Sequence, residues 1–152
     1  MQISSRFTIA VHVLLCIEMF KGSHKVTSDF LASSVNANPV VIRKLLLQLK
    51  AAGIIRVARG TGGADTVMPP GEITLLDVYN AVESLDGGEL FRFHENPNPL
   101  CPVGRNIHAV LDVKLEEIQR AMEKKLGEVT LQDVLADTKR LLALENCQKE
   151  LM

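Results

Sequence analysis

The sequence predicts a mainly α-helical protein with a small β-hairpin wing, that is, a winged helix-turn-helix domain followed by a long dimerisation helix. Residues 27 to 53 read as a short helix, a turn and a longer helix, and two β-rich runs joined by glycines follow at once. An amphipathic helix then extends from about 104 to 126. At 152 residues and 47% hydrophobic, the chain can form one core with an appended helical arm. We divide it into a winged domain at 1–83, a loop at 84–100 and a helical dimerisation region at 101–152.

Charge divides the chain into halves of opposite sign, although 17 basic and 18 acidic side chains nearly balance overall. Residues 1–68 carry eight basic and three acidic side chains, whereas residues 69–152 carry nine and fifteen. The near-neutral total argues against a general polyanion binder, but it conceals a cationic first half.

Two features indicate a cytoplasmic protein with no membrane partner. The apolar run FTIAVHVLLCIEMF contains His12 and Glu18 and has no small-residue cleavage site after it. We interpret it as a core helix and as neither a signal peptide nor a membrane span. The three cysteines are few and far apart, unlike a secreted disulfide framework.

The first helix begins at a cap provided by Ser4 or Ser5 and ends near Gly22. Helical spacing predicts that it buries one set of apolar residues: Phe7, Ala10, Val11, Leu14 and Leu15. His12, on the same apolar helix, is interpreted as a core histidine with a satisfied ring nitrogen.

The helix-turn-helix is defined by its caps. Thr27 can cap a short helix, and Asn38 followed by Pro39 is a strong signal for a second start. The longer helix continues to Gly53, a natural left-handed stop. Its apolar face consists of Ile42, Leu45, Leu46 and Leu49.

The opposite face of this helix carries Val40, Val41, Arg43 and Lys44. In a DNA major groove, valines can touch thymine methyls and arginine can reach guanine or phosphate. Alternatively, the valines pack against a neighbouring element and the cations form a solvated face. The helix alone does not distinguish these two interpretations.

The segments GIIRVA and ADTVMPP predict the two strands of a hairpin that ends at two prolines. Arg59 lies at its tip, followed by Gly60, Gly62 and Gly63, which permit close approach to a DNA backbone. A hairpin directly after a helix-turn-helix favours a wing whose arginine enters a minor groove over an ordinary exposed turn. A phosphate-binding nucleotide loop is less favoured still, because no Lys-Ser or Lys-Thr follows the glycines at the required spacing.

Two capping-box-like pairs, Thr74 with Asp77 and Thr130 with Asp133, begin later helices.

Between these two helices, the long helix has an apolar stripe that needs a partner: Ile107, Leu111, Leu115, Ile118, Met122 and Leu126. Pairing with a second copy would place two reading helices on two half-sites of one operator. The alternative is packing within the chain, against the first and last helices.

Five segments resemble, in the same order, the Rrf-two family of bacterial winged-helix transcription regulators: ISSRFTIAVHVL, NPVVIRKLLLQLKAAGII, RGTGGA, ITLLDVYNAVE and NPLCPVGRNI. Members of this family are typically homodimers joined through the long helix. The resemblance implies base contacts from Asn38, Val40, Val41 and Arg43, and a minor-groove contact from Arg59. We therefore predict a sequence-specific regulator of transcription, a repressor that binds a palindromic operator as a homodimer.

The cluster-binding members of this family have three cysteines in the loop before the dimerisation helix, whereas this loop has Cys101 alone. Cys16 and Cys147 lie in other helices, so we expect a clusterless chain with no cofactor. Cys101 is either a thiol made reactive by the helix N-terminus, a candidate redox sensor, or a buried inert residue. His94 and His108 flank it in a spacing that matches no compact zinc site, so no metal is predicted.

An enzyme is not predicted, because no nucleophile and base or pair of acids is evident and Ser4 and Ser5 look like caps. The remaining alternative is a winged-helix module that binds protein and not DNA. The nature of the effector, either a redox signal or a small molecule, stays open. A small-molecule pocket beside the long helix and an ordinary hydrophobic core would show the same sequence pattern.

Overall fold

The computed structural model describes residues 3–60, 62–83 and 90–151 and confirms the mainly helical class. Its two strands form one antiparallel sheet. In chain order the elements are α1 (Ser5–Phe20), α2 (Ser28–Val35), α3 (Pro39–Ala51), β1 (Ile55–Val57), β2 (Ala64–Thr66), a short 3-10 turn (Pro70–Glu72), α4 (Leu75–Val82), α5 (Pro102–Glu128) and α6 (Leu131–Glu150).

The predicted caps begin the first three helices. The side chains of Ser4, Thr27 and Asn38 each accept a hydrogen bond from a backbone N–H in the first turn of α1, α2 and α3. Gly53 has the left-handed φ of 75° that was expected of a helix stop, although α3 itself ends at Ala51. The helix-turn-helix is therefore fixed by local hydrogen bonds that the sequence specifies.

The buried face of α1 differs from the predicted one. Ala10 and Leu14 are buried as expected, but Phe7, Val11 and Leu15 are only partly buried, and their places are taken by Val13, Cys16 and Ile17. The reason is that α1 is apolar on nearly all sides and contacts α2, α4, α6 and β2. Its spacing therefore could not select one face. His12 is also not a core residue: it is half-buried, and its ring bonds the Ser34 hydroxyl.

The first turns of α4 and α6 lie side by side. Both predicted capping boxes are present, on Thr74 and on Thr130. The Leu131 N–H donates to the Ile73 carbonyl at 2.8 Å, and the Leu75 N–H donates to the Val129 carbonyl at 2.9 Å. The end of α5 and the start of α6 therefore lie against the first turn of α4.

The hydrophobic core lies among α1, α2, α3, α4 and the hairpin, and α6 completes it with Leu131, which is 0% exposed. By contrast, α5 contributes no fully buried residue. It is also longer than the predicted span of about 104 to 126. None of the described helices is long and apolar enough to cross a membrane.

Candidate DNA-binding site

The exposed face of α3 is the one that the sequence predicted. Val40 is 51% and Val41 37% exposed, and Lys44 is exposed beside them, while Ile42 and Leu45 on the opposite face are buried. Two exposed valines at the start of a helix are not needed by the core. They form an apolar surface whose size and position suit contact with base edges in a major groove.

Arg43 extends from this face towards α2. Its guanidinium lies 3.6 Å from the Asp29 carboxylate, and the two side chains are 58% and 77% exposed. An ion pair this exposed contributes little to stability and is easily exchanged for another partner. The pair with Asp29 therefore leaves the Arg43 side chain at the surface.

Asn38 forms the helix cap that the sequence predicted, at a position where a base contact was also predicted. Its Oδ1 accepts a hydrogen bond from the Val40 N–H at 2.9 Å, which satisfies a free donor of α3. The cap occupies the carboxamide oxygen, so the amino group is the part that could reach a base or phosphate. Replacement of Asn38 would therefore disturb the helix start as well as any DNA contact.

The hairpin tip carries the predicted arginine. Strands β1 and β2 pair antiparallel with Arg56 opposite Asp65 and Val57 opposite Ala64. Arg59 is exposed directly after β1, and Gly60 follows with a φ of 78°, which disfavours a side chain. The tip thus presents a cation on a backbone turn that glycine makes possible.

The structure gives Gly62 and Gly63 a reason that the sequence interpretation missed. A Cβ on Gly63 would lie 2.5 Å from the backbone N of Val26, and a Cβ on Gly62 would collide with the Ala58 side chain. The Ala64 N–H donates to the Val26 carbonyl at 2.9 Å, so the segment before α2 lies against the free edge of β2. Both glycines are needed for packing within the protein, whatever approaches the wing.

A small ion network fixes the base of the wing. Asp65 bonds Arg56 at 3.0 Å and lies 3.4 Å from Lys21, which also pairs with Glu18 at 3.2 Å. Partial burial by itself raises the pKa of Asp65, but hydrogen bonds from Arg56 and Lys21 outweigh it and hold the pKa below its usual value. Glu18 also accepts a hydrogen bond from the buried Thr66 hydroxyl. This network joins α1 to the hairpin, and no sequence pattern indicated it.

A groove of about 460 Å³ separates α3 from the wing. Arg43 and Lys50 line it on the α3 side, and Val57 and Gly60 line it on the wing side. A groove with two cations and an apolar floor suits a phosphate backbone that passes between a reading helix and a wing. Of the predicted DNA-binding residues, Arg43, Gly60 and Gly62 line this groove.

The stripe on α5 is only partly covered. Ile107, Leu111, Leu115 and Met122 are half-buried, whereas Ile118 is 53% exposed. Three further exposed valines lie on α5 that the predicted stripe did not include: Val103, Val110 and Val113.

Cys101 is exposed and forms the N-cap of α5. Backbone N–H groups of Gly104 and Val103 lower the pKa of its thiol. The flanking histidines both stack on the Phe93 ring, with centroid distances of 5.0 Å to His94 and 3.8 Å to His108. Within 3–60, 62–83 and 90–151, no three potential ligands lie together as a metal site requires.

The arrangement of α2, α3 and the wing defines a winged helix-turn-helix protein of the DNA-binding class. The Rrf2 family, described as iron-dependent transcriptional regulators, matches residues 3–137. YwnA of Bacillus subtilis, named as an HTH-type transcriptional regulator, is 45% identical over 133 residues, 88% of this chain and 96% of its own. The chain belongs to the Rrf2 family and is a DNA-binding transcriptional regulator, not an enzyme.

Two solved structures have the same fold. One, described as a DNA-binding protein, is 40% identical with a TM-score of 0.71, and the match covers 86% of this chain and 99% of its own. The other, Bacillus subtilis CymR, the global cysteine regulator, is 20% identical with a TM-score of 0.67 over 90% of this chain and 97% of its own. At that identity CymR shows the fold alone.

The family description implies iron. The cysteines of this chain do not fit iron held as a cysteine-ligated cluster. The loop before α5 contributes Cys101 alone, directly after residues 84–100. Cys16 is buried on α1, where its sulfur bonds Ser34, and Cys147 is near the end of α6. One thiolate in the loop cannot replace the several that such a cluster requires.

Proposed function

We propose that this regulator binds a palindromic DNA operator as a homodimer and represses transcription. The observation that carries the proposal is the common surface of α3 and the wing. Asn38, Val40, Val41, Arg43 and Lys44 would enter the major groove. Arg59 would enter the adjacent minor groove from the tip formed with Gly60, Gly62 and Gly63.

The partner in the dimer would be a second copy joined along α5. Support comes from the half-buried residues Ile107, Leu111, Leu115 and Met122 together with exposed Ile118, which leave apolar area for another surface to cover. A two-fold axis through α5 would present two α3 helices to two half-sites of one operator. The division at 84–100, between winged domain and dimerisation region, belongs to the same proposal.

The working compartment is the cytoplasm, where bacterial DNA is accessible to a regulator. Cys101 is the proposed site of a redox response, because it is exposed and its thiol pKa is lowered. A small-molecule effector is the alternative signal.

The test is selection of genomic fragments by the purified, reduced protein, repeated after mild peroxide treatment. Enrichment of one palindromic site is expected, with affinity that falls steeply as salt rises, because neutralised phosphates release counterions. The Arg43→Gln variant should lose most of the affinity, while Glu145→Gln on the exposed end of α6 serves as a matched control.

Failure to enrich any fragment, with or without peroxide, would contradict operator binding and favour a winged module that binds protein. Enrichment that peroxide leaves unchanged would retain the regulator and remove Cys101 as the switch. A monomer by sedimentation at micromolar concentration would contradict the dimer.

A further inference from the structure

Three hydrogen-bonded side chains, Cys16, Ser34 and His12, lie where α1 packs against α2. The Ser34 hydroxyl oxygen is 3.2 Å from Cys16 Sγ and 3.0 Å from His12 Nε2. A hydroxyl both accepts and donates hydrogen bonds. Ser34 can therefore accept from the thiol and donate to the imidazole, which links a nucleophile to a base through one group.

Cys16 and His12 also line an apolar groove of about 420 Å³ between α1 and α6. The rest of its wall is formed by Thr8, Val11, Leu15, Met19, Phe20, Thr138 and Leu142. Cys16 is only 5% exposed, whereas Cys101 and Cys147 are exposed. Cys101 and Cys147 are therefore open to any water-soluble reagent, whereas Cys16 is a wall residue of the apolar groove. Mostly apolar walls with a few convergent polar groups are typical of small-molecule sites.

We propose that Cys16 is an addition site for apolar α,β-unsaturated carbonyl compounds that enter the α1–α6 groove. The sulfur forms a bond to the β-carbon, the carbon–carbon π bond breaks, and its electron pair moves onto the conjugated carbonyl as an enolate. The thiol proton passes to Ser34, whose own proton passes to His12 Nε2. The enolate then takes a proton at its α-carbon from the imidazolium or water, so the addition needs no oxidant.

An adduct would add volume between α1 and its neighbours α2 and α6. Protein interiors are close-packed, so added volume displaces the neighbouring elements. Because α2 supports α3 in the helix-turn-helix, the adduct weakens DNA binding. This consequence rests on the proposed operator binding, whereas the addition itself does not.

The test uses the full chain with Cys101→Ser and Cys147→Ser, so that Cys16 is the remaining thiol. Pentyl vinyl ketone and methyl vinyl ketone share one reactive group and differ by a four-methylene tail. Hydrophobic burial favours binding by about fourfold per methylene, so the pentyl ketone should react with Cys16 at least about tenfold faster. In the wild-type chain, exposed Cys101 should react with both ketones within about twofold. Peptide mass spectrometry measures each rate.

The relay is tested separately. Ser34→Ala should slow the addition at least about tenfold, and Ser34→Thr, which retains the hydroxyl, should restore it. The Tm of every variant is measured by thermal unfolding, so that a faster reaction caused by a larger unfolded fraction can be recognised. Equal rates for the two ketones, no Cys16 adduct in the folded protein, or an unaffected Ser34→Ala rate would each overturn the proposal.

Operator binding is measured first on untreated protein, so its failure is distinguishable from failure of the addition. Treatment with pentyl vinyl ketone should lower the DNA affinity at least tenfold, and Cys16→Ala should remove this sensitivity. An adduct that leaves the affinity unchanged would overturn the inferred consequence.

Discussion

Replacement of Leu131 by alanine tests whether the start of α6 belongs to the core of the winged domain. Leu131 is 0% exposed, and its own N–H makes one of the backbone hydrogen bonds that join the starts of α6 and α4. A fully buried Leu→Ala change typically costs about 3 kcal/mol, because it loses transfer free energy and leaves a cavity. For a chain of this size that lowers Tm by about 6 to 12 °C.

Urea denaturation is the assay, with the fluorescence of Tyr79 and far-ultraviolet circular dichroism as two probes. Gln132→Ala is the matched control, since Gln132 is exposed in the same turn and its removal should change stability by under about 0.5 kcal/mol. All variants are compared at one protein concentration, because a dimer's stability depends on it. A cost under about 1 kcal/mol for Leu131→Ala, with an unchanged urea slope, would refute the assignment of α6 to the core.

Three further predictions concern the wing and α5. Arg59→Ala should weaken operator binding about tenfold with unchanged Tm, since an exposed tip residue adds little to folding; unchanged affinity in a binding titration would remove the minor-groove contact. Gly63→Ala should lower the free energy of unfolding, measured by urea denaturation, by about 1 to 3 kcal/mol, because its Cβ would lie 2.5 Å from Val26 N. An unchanged free energy of unfolding would show that the backbone at Val26 moves to admit the methyl group. Leu115→Asp should give a monomer in sedimentation, and a persistent dimer would place the interface elsewhere.

The ion network predicts the sign of a pH effect. The folded-state pKa of Asp65 is lowered, so its stabilising contribution is complete above about pH 4 and is lost as pH falls through the folded value. Thermal unfolding of wild type and Asp65→Asn, followed from pH 7 downwards, should therefore show a difference that shrinks as the pH falls below about 4. A constant difference across that range would show that Asp65 acts through packing and not through its charge.

Some of the site could be predicted because it depends on short-range chemistry. Thr27 and Asn38 are residue types that cap a helix when they precede it. The buried face of α3 follows from the helical spacing of Ile42 and Leu45. Arg59 lies at the tip because the glycines beside it favour a turn. The family resemblance, based on five ordered segments, was confirmed by the Rrf2 match.

Other features depend on contacts between distant residues and left no local pattern. The sequence by itself determined the caps, the helix-turn-helix, the hairpin and the family, because each is encoded within a few adjacent residues. Only the tertiary structure decided which face of the uniformly apolar α1 is buried, that Gly63 fits against Val26, and that α6 returns to the core at Leu131. It also joined Cys16, Ser34 and His12, which are up to 22 residues apart. Such contacts depend on how whole helices and strands pack against each other. The periodicity of side chains along one helix or strand does not indicate which other elements pack on it.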